Sequence, residues 1–363
     1  MLKKILPLAK KLISMKSTPD DREALEKALN LALSDLKGYT VEKFERRGVK
    51  SALIYNTPKR PKKFKVILNG HLDVIPGKEN QYLPRIKGNR LYGVGSMDMK
   101  ANVACLIAVF KEVVKKIDYP LGLQLVTDEE VGGFDGTKYQ IEKGVGAEFV
   151  IAAESTDFNI KNKAKGILWA KVSAKGKTAH GAYPWRGENA IWKISEFLKN
   201  LESHYPVPEK EKWVTTVNVA KIGTNNKAFN KIPDDCEVWL DVRYVPEEGG
   251  EIVGNLKKIL PKGLKLEVLV KEPALATDAK NPYLRLLKKK TEELTKKRVN
   301  VLSANGSSDA RHFTLVGCPG VEFGPVGGGI ASDEEWVDIP SLEKYSRILA
   351  DFLVSLSISP KVR

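Results

Sequence analysis

Cysteine, histidine and long apolar runs are all scarce in this chain of 363 residues. The 3 cysteines are odd in number and widely spaced, which argues against a disulfide framework and favours buried thiols in a reducing cytoplasm. No apolar stretch approaches the roughly 18 residues of a membrane-spanning helix, so no membrane association is predicted. Only 4 histidines are present, so each can be considered singly as a candidate for imidazole chemistry.

Acidic residues are outnumbered by basic ones, and the formal net charge is +15. Such a balance can indicate nucleic-acid binding. Here the lysines are spread along the whole chain and mixed with glutamates, without the clusters that a nucleic-acid site needs. A solvated surface is the favoured interpretation, and no nucleic-acid partner is predicted.

Strand-like and helix-like segments alternate over residues 1–164 and again over residues 275–363. This alternation predicts an α/β domain with a mostly parallel sheet and helices on both faces. The first full helix is expected to begin at Thr18 as its N-cap. Residues 165–274 instead suggest four more antiparallel strands with two helices, a small α+β unit inserted into the first domain.

Ligand-type side chains lie beyond the ends of predicted strands and just before a long apolar helix. In open α/β sheets, ligands bind beyond the carboxyl ends of the strands. Histidine together with carboxylates is typical of a metal site, and a spare carboxylate suggests hydrolysis. In chain order these residues are His71, Asp73, Asp98, Glu129, Glu130 and Glu154.

Several of these positions carry a geometric argument of their own. His71 and Asp73 are two apart on an extended segment, so Asp73 is placed to accept the second ring N–H of His71. Asp98 follows a glycine-rich turn, where a carboxylate either caps the helix or bridges two metals. Glu129 and Glu130 are adjacent and point apart, so one can bind metal while the other acts as general base.

Three motifs built on these residues resemble those of the M20 family of zinc aminoacylases and peptidases. They are GHLDVIP at residues 70–76, GSMDMK at residues 95–100 and DEEVGG at residues 128–133. The resemblance covers essentially the whole chain. It implies a metal-binding catalytic domain, residues 1–164 and 275–363, interrupted by a lid or dimerisation domain, residues 165–274.

The resemblance also implies roles for the clustered residues. His71, Asp98 and Glu154 hold one zinc ion, and Asp98 bridges to a second zinc that Glu130 also binds. Glu129 is the general base. Cobalt or manganese suit the same nitrogen and oxygen ligands.

The segment KGKTAHGAYP, residues 175–184, is similar to the start of the family's lid. There a histidine reaches the active site of the partner subunit, so the resemblance implies a homodimer in which His180 stabilises the oxyanion. An arginine can pair bidentately with a substrate carboxylate. The substrate contacts implied are Asn230, Arg243, Ser308 and Arg311, with Arg243 or Arg311 as the carboxylate partner.

One family position holds a residue that cannot bind metal. The last zinc ligand of the family, a histidine, falls at Ala331, within the segment GPVGGGIASDEE of residues 324–335. The second metal therefore lacks one protein ligand, for which His312 and Asp333 are candidate substitutes, whereas His204 falls in a predicted lid loop. The first zinc keeps three ligands and an open position, as catalytic zinc sites do.

The favoured function is a cytoplasmic zinc-dependent amide hydrolase acting on N-acyl amino acids or small peptides. Glu129 would deprotonate the attacking water and return the proton to the leaving amine. The alternative, motivated by Ala331, is an impaired or non-catalytic binding protein of the same fold. Desuccinylase, deacetylase, dipeptidase and carboxypeptidase activities, with one or two metals, are all compatible with the sequence.

Overall fold

A computed structural model describes residues 1–358. The chain divides into two units, which are called unit 1 and unit 2 below. Unit 1 comprises residues 1–163, 275–303 and 308 onward, and unit 2 comprises residues 164–274 and 304–307. Residues 304–307 belong to unit 2 although they lie outside the predicted insertion. The predicted catalytic domain also includes residues 359–363, which lie outside the described residues.

The helices and strands of the described residues have the following bounds. The α-helices are α1 (Leu2–Ile13), α2 (Arg22–Ser34), α3 (Lys100–Val113), α4 (Thr137–Glu142), α5 (Ala190–His204), α6 (Ile252–Lys258), α7 (Pro282–Thr295) and α8 (Ile339–Ile358). Short 3₁₀ helices cover Glu79–Tyr82, Glu129–Val131, Pro184–Arg186, Pro246–Glu248 and Asp309–Val316. The strands are β1 (Thr40–Arg46), β2 (Val49–Tyr55), β3 (Phe64–His71), β4 (Arg85–Lys87), β5 (Arg90–Tyr92), β6 (Leu121–Val126), β7 (Ala147–Ala152), β8 (Ile160–Ala164), β9 (Gly166–Lys175), β10 (Thr216–Gly223), β11 (Asp235–Tyr244), β12 (Lys265–Glu272), β13 (Leu275–Ala276), β14 (Val301–Ala304), β15 (Gly320–Glu322), β16 (Gly327–Gly328) and β17 (Trp336–Asp338).

The large sheet of unit 1 has the strand order β1-β2-β6-β3-β7-β15-β8-β13, with β14 paired to β8. Its centre is parallel, since β3 pairs in parallel with both β6 and β7, and β15 pairs in parallel with β7. Val66 and Leu68 join the core that contains residues of α1, α3 and α8, whereas Ile67 joins a second core with residues of α4. Alternate side chains of β3 are thus buried on opposite faces, as expected for a sheet covered by helices on both sides. The predicted α/β class is confirmed.

Unit 2 is built on an antiparallel sheet of order β10-β11-β9-β12. Burial alternates strictly along β11, the pattern of a strand with one buried face and one solvated face. Helices α5 and α6 cover the buried face, where Phe197 and Leu256 join a core with Val172 and Leu240. The predicted four-stranded sheet with two helices is confirmed.

Three local features of the structure differ from what the sequence predicts. Helix α2 begins at Arg22 rather than after Thr18, because the Asp21 carboxylate accepts the Ala24 N–H and caps the helix. The apolar run that predicts strand β3 covers residues 64–68, but the strand continues to His71. A small sheet of order β16-β17-β5-β4 was not predicted, because its strands are only two or three residues long and show no periodicity. Of the helices described, none is long and apolar enough to cross a membrane.

Candidate metal centre

The carboxyl ends of the parallel strands meet at one edge of the large sheet. The register places His71, the last residue of β3, opposite Val126, the last residue of β6. It also places Asn69 of β3 opposite Ala152, the last residue of β7. The segments that leave β3, β6 and β7 therefore emerge side by side. Together with His71 they carry the predicted ligands except Asp98, which lies in the turn between β5 and α3.

His71, Asp98 and Glu154 form a compact donor set. One ligand atom from each lies within 4.8 Å of the others, with His71 buried and the two carboxylates half-buried. The Nε2 atom of His71 is 3.0 Å from Oδ1 of Asp98, while its Nδ1 is 3.0 Å from the carbonyl oxygen of Asp73. A proton on Nδ1 satisfies that carbonyl and leaves the Nε2 lone pair directed at the carboxylates. This is the tautomer that binds a metal.

The electrostatics of the cluster also fit a cation. Burial raises the pKa values of Glu154 and Glu129 well above the ordinary range, and the negative charge of Asp98 raises both further. Burial likewise raises the pKa of Glu130 to about 7. Burial lowers the pKa of His71, but hydrogen bonds and charges from Asp73 and Asp98 outweigh it, so the net shift is well upward. Imidazole nitrogen and carboxylate oxygen are the ligands of catalytic zinc, and a divalent cation relieves the repulsion among these carboxylates.

Asp73 connects the end of β3 to the turn that carries the two glutamates. Its Oδ2 accepts the backbone N–H of Glu130 at 2.9 Å, and its Oδ1 lies 3.5 Å from Nδ1 of His71. Glu130 in turn accepts the N–H of Ile75 at 3.2 Å through Oε1. The predicted support of His71 by Asp73 thus comes mainly from the Asp73 backbone carbonyl. The Asp73 carboxylate holds the turn of residues 129–133, called the glutamate turn below.

The turn after Glu129 and Glu130 requires glycine. Gly132 and Gly133 have φ values of 109° and 64°, in the left-handed region. A Cβ atom on Gly133 would lie 1.9 Å from Oδ1 of Asp309. The sharp turn brings the chain back against the Asp309 helix and leaves the two glutamates beside the donor set.

Sequence reasoning missed two buried polar residues of helix α3, Lys100 and Asn102. Asn102 donates to the Ala153 carbonyl at 2.6 Å, next to Glu154, and Lys100 donates to the Met15 carbonyl at 2.6 Å. The available signal was the presence of two polar side chains in the otherwise apolar first half of the helix. The N-cap position of α3 is occupied by Met99, not by Asp98.

No substitute for the missing histidine joins the donor set within residues 1–358. Ala331 is exposed and has a φ of 57°. The Nε2 atom of His312 lies 2.9 Å from the Gly132 carbonyl, and Asp333 forms an ion pair with Lys78. Within residues 1–358 the donor set therefore keeps its three members, His71, Asp98 and Glu154, and gains no second histidine.

The predicted substrate residues of unit 1 are buried. Ser308 is 2% exposed and Arg311 is 1% exposed. Arg311 donates to the Ser308 carbonyl at 2.9 Å and to the Gly132 carbonyl at 2.7 Å. The guanidinium thus holds the same carbonyl that His312 contacts, next to the glutamate turn.

Of the predicted residues of unit 2, His180 and Asn230 lie near each other, whereas Arg243 lies on strand β11. His180 and Asn230 are both exposed, and the N–H of the adjacent Gly181 donates to the Asn230 carbonyl at 2.7 Å. Arg243 lies on β11, where its Nε donates to Oδ1 of Asp241 at 2.9 Å. His204 ends α5, with its Nδ1 2.9 Å from the Asn200 carbonyl.

The chain matches the Peptidase family M20/M25/M40 over residues 67–355 and belongs to that family. It is accordingly a metal-dependent hydrolase. Among curated relatives, it is 29% identical over 311 residues to a succinyl-diaminopimelate desuccinylase of Pelagibacter ubique, covering 78% of this chain and 80% of that protein.

Solved structures show the same fold. A tripeptidase from Staphylococcus aureus superposes with a TM-score of 0.79 at 18% identity, and 99% of each chain is covered. A Bacillus subtilis protein described as a dinuclear metal-binding peptidase of the M20 family has a TM-score of 0.75 at 13% identity, again with 99% of each chain covered.

Proposed function

We propose that this chain is a zinc-dependent amide hydrolase, a deacylase or peptidase that acts on N-acyl amino acids or small peptides. The observation that carries the proposal is the donor set of His71, Asp98 and Glu154 beside the Glu129 turn. A bound divalent metal supplies Lewis acidity, which makes a water more acidic and polarises the amide carbonyl. Names of the desuccinylase relative and of the tripeptidase neighbour support these two substrate classes.

Glu129 is the proposed general base. It takes a proton from the attacking water and delivers it to the leaving nitrogen as the amide C–N bond breaks. Glu130, the adjacent residue, accepts the Ile75 N–H through Oε1 and is the proposed ligand for a second metal together with Asp98. Asp73 holds both His71 and the glutamate turn in register for this chemistry.

We propose one strongly bound metal per chain, because Ala331 removes a ligand from the second position. Cobalt or manganese in place of zinc suits the same donors. A specific observation favours a second candidate function: the exposed Ala331 methyl offers no donor, as expected for an impaired or non-catalytic binding protein. The complete set of His71, Asp98, Glu154 and Glu129 favours the enzyme.

The proposed substrate contacts include a partner for a substrate carboxylate. Arg243 is the preferred partner for a substrate carboxylate, because its side chain is 35% exposed whereas the Arg311 guanidinium is buried against backbone carbonyls. Asn230 and Ser308 complete the proposed substrate contacts. His180 is proposed to donate a hydrogen bond to the oxyanion of the partner subunit's substrate.

A homodimer formed through unit 2 follows from that role. Unit 2 exposes large aromatic side chains, among them Trp185 at 74% and Trp192 at 72%, and such apolar surface favours association. Light scattering is expected to give a particle of twice the chain mass of 40.3 kDa. A monomer at all concentrations would contradict the dimer and the proposed role of His180.

The three cysteines are buried and free, which supports the proposed cytoplasmic location.

The test is amine release from a panel of N-succinyl and N-acetyl amino acids, dipeptides and tripeptides, with zinc or cobalt added. Turnover by the unsubstituted protein that is lost in Glu129→Gln supports the hydrolase, and the best substrate defines the subclass. Metal binding without turnover on any amide, even in Ala331→His, would favour the binding protein.

A further inference from the structure

The segment that lacks the expected histidine still reaches the metal centre through another residue, Glu335. Strand β17 pairs with β5 in antiparallel fashion, and Trp336 lies opposite Tyr92. This pairing brings Glu335 beside the glycine-rich turn of residues 93–98, which follows β5. Glu335 is 3% exposed, so its carboxylate is withdrawn from water.

The Glu335 carboxylate accepts three backbone N–H groups of that turn. Its Oε2 accepts from Gly95 at 3.1 Å, and its Oε1 accepts from Met97 at 2.8 Å and from Asp98 at 3.1 Å. Its backbone carbonyl accepts a fourth, from Gly93 at 3.1 Å. One residue therefore satisfies every second N–H of the turn and the N–H of Asp98 itself.

A turn with this many amides directed inward needs an acceptor at its centre. Buried N–H groups are costly when unpaired, and hydrogen bonds to an ionised carboxylate are stronger than neutral ones. Gly95 has a φ of 79°, and a Cβ there would lie 2.7 Å from a Val74 methyl carbon, so the turn is confined on its other side as well. Loss of the acceptor would leave the backbone of Asp98 free to move away from His71.

We infer that Glu335 is a positioning residue of the metal centre, which holds the Asp98 carboxylate against Nε2 of His71 through the backbone of residues 95–98. This inference rests on the proposed metal-dependent function. It assigns the segment of residues 324–335 a role that does not depend on residue 331. Residues that orient a metal ligand from outside typically change metal affinity by about 10–100-fold when replaced.

The matched variants are Glu335→Gln and Glu334→Gln, which make the same chemical change at neighbouring positions. Glu334 is exposed. In Glu335→Gln the side chain has one acceptor and one amide donor, so at least one turn N–H faces a donor. Glu335→Ala removes all three acceptor contacts and provides the stronger form of the change.

The first measurement is hydrogen exchange of the metal-free protein, followed peptide by peptide. The amides of Gly95, Met97 and Asp98 are expected to be protected in the unsubstituted chain and in Glu334→Gln, and to exchange faster in Glu335→Gln. This readout needs no metal and no activity. Unprotected amides in the unsubstituted chain would overturn the inference without any variant.

The second measurement is zinc affinity by titration against a competing chelator, with zinc alone as the probe. Glu335→Gln is expected to bind zinc about 10–100-fold more weakly than the unsubstituted chain, and Glu334→Gln equally well. Faster amide exchange with unchanged zinc affinity would assign Glu335 a merely structural role and overturn the inference. Absence of zinc binding by the unsubstituted chain would overturn the proposed function as well, which distinguishes the two failures.

Discussion

Two regions of unit 1 contribute to the candidate metal centre in different ways. The strand ends present His71 and Glu154 from buried parallel strands whose register leaves little freedom. In the segment of residues 324–335, residues 329–334 are exposed, Ala331 among them, and the chain becomes buried again at Glu335. The strand ends carry two of the three residues of the donor set, whereas the exposed turn carries an alanine where the family resemblance predicts a histidine.

This difference shows which residues of the candidate site are held in place by the buried core. A change at His71 would remove the ring that the Asp73 carbonyl and the Asp98 carboxylate contact, so the strand end is coupled to the packing around it. Position 331 contacts solvent, so a change there can leave the rest of the fold intact. Glu335, from the same segment, is tied to four N–H groups and is expected to behave like the strand ends.

The largest expected effect comes from Glu129, the proposed general base. Glu129→Gln keeps the shape of the side chain but removes the proton acceptor, so turnover is expected to fall by about 10²–10⁴-fold. Glu142→Gln, an exposed position that pairs with Arg46, is the matched control and should retain turnover. Steady-state amine release measures both, and full activity in Glu129→Gln would exclude this residue as the base.

The next largest effect distinguishes His71 from His312 as zinc ligands. His71→Gln removes a donor of the three-residue set and is expected to weaken zinc binding by more than about 100-fold, beyond the usual cost of an outer-shell change. His312→Gln is expected to bind zinc as the unsubstituted chain does, because His312 faces the Gly132 carbonyl. A larger loss in His312→Gln than in His71→Gln, seen in the same zinc titration, would mean that His312 is the substitute ligand.

A third experiment turns the exposed segment into a ligand-bearing one. Ala331→His is expected to raise the bound zinc from about one to about two ions per chain, since a second position gains an imidazole donor. Histidine tolerates the left-handed conformation seen at φ 57° better than most residues do. Metal analysis after dialysis gives the count, with Ser332→His as the neighbouring control. Equal counts in the two variants would show that position 331 does not face the second metal position.

The smallest effect concerns the glutamate turn. Gly133→Ala combines a φ of 64° with a Cβ only 1.9 Å from Oδ1 of Asp309, so the free energy of unfolding should fall by about 1–3 kcal/mol. Gly146→Ala is the control, because no atom lies within 4 Å of its added Cβ and its φ is not positive. Urea unfolding of both variants compares them, and equal stability would mean that the turn relaxes freely.

Much of the architecture could be predicted from the chain. The alternation of apolar runs and helix-period segments predicted the parallel sheet. The four strands predicted within residues 165–274 include β11, along which burial alternates strictly. These are local properties, because side-chain periodicity follows from the geometry of one strand or helix. Short elements escaped prediction: β5 and β17 have three residues each, too few for any period to show.

The sequence by itself determined which residues are candidates for the donor set and for the general base. His71, Asp98, Glu129 and Glu154 stand next to predicted elements, and their types imply metal chemistry before any distance is known. Only the tertiary structure decided what holds them. Glu335 lies 237 residues from Asp98 along the chain, and its contact depends on a sheet that only folding assembles. Arg311, equally, is a substrate contact by the family resemblance, and its burial against the Gly132 carbonyl follows from long-range packing that no local pattern encodes.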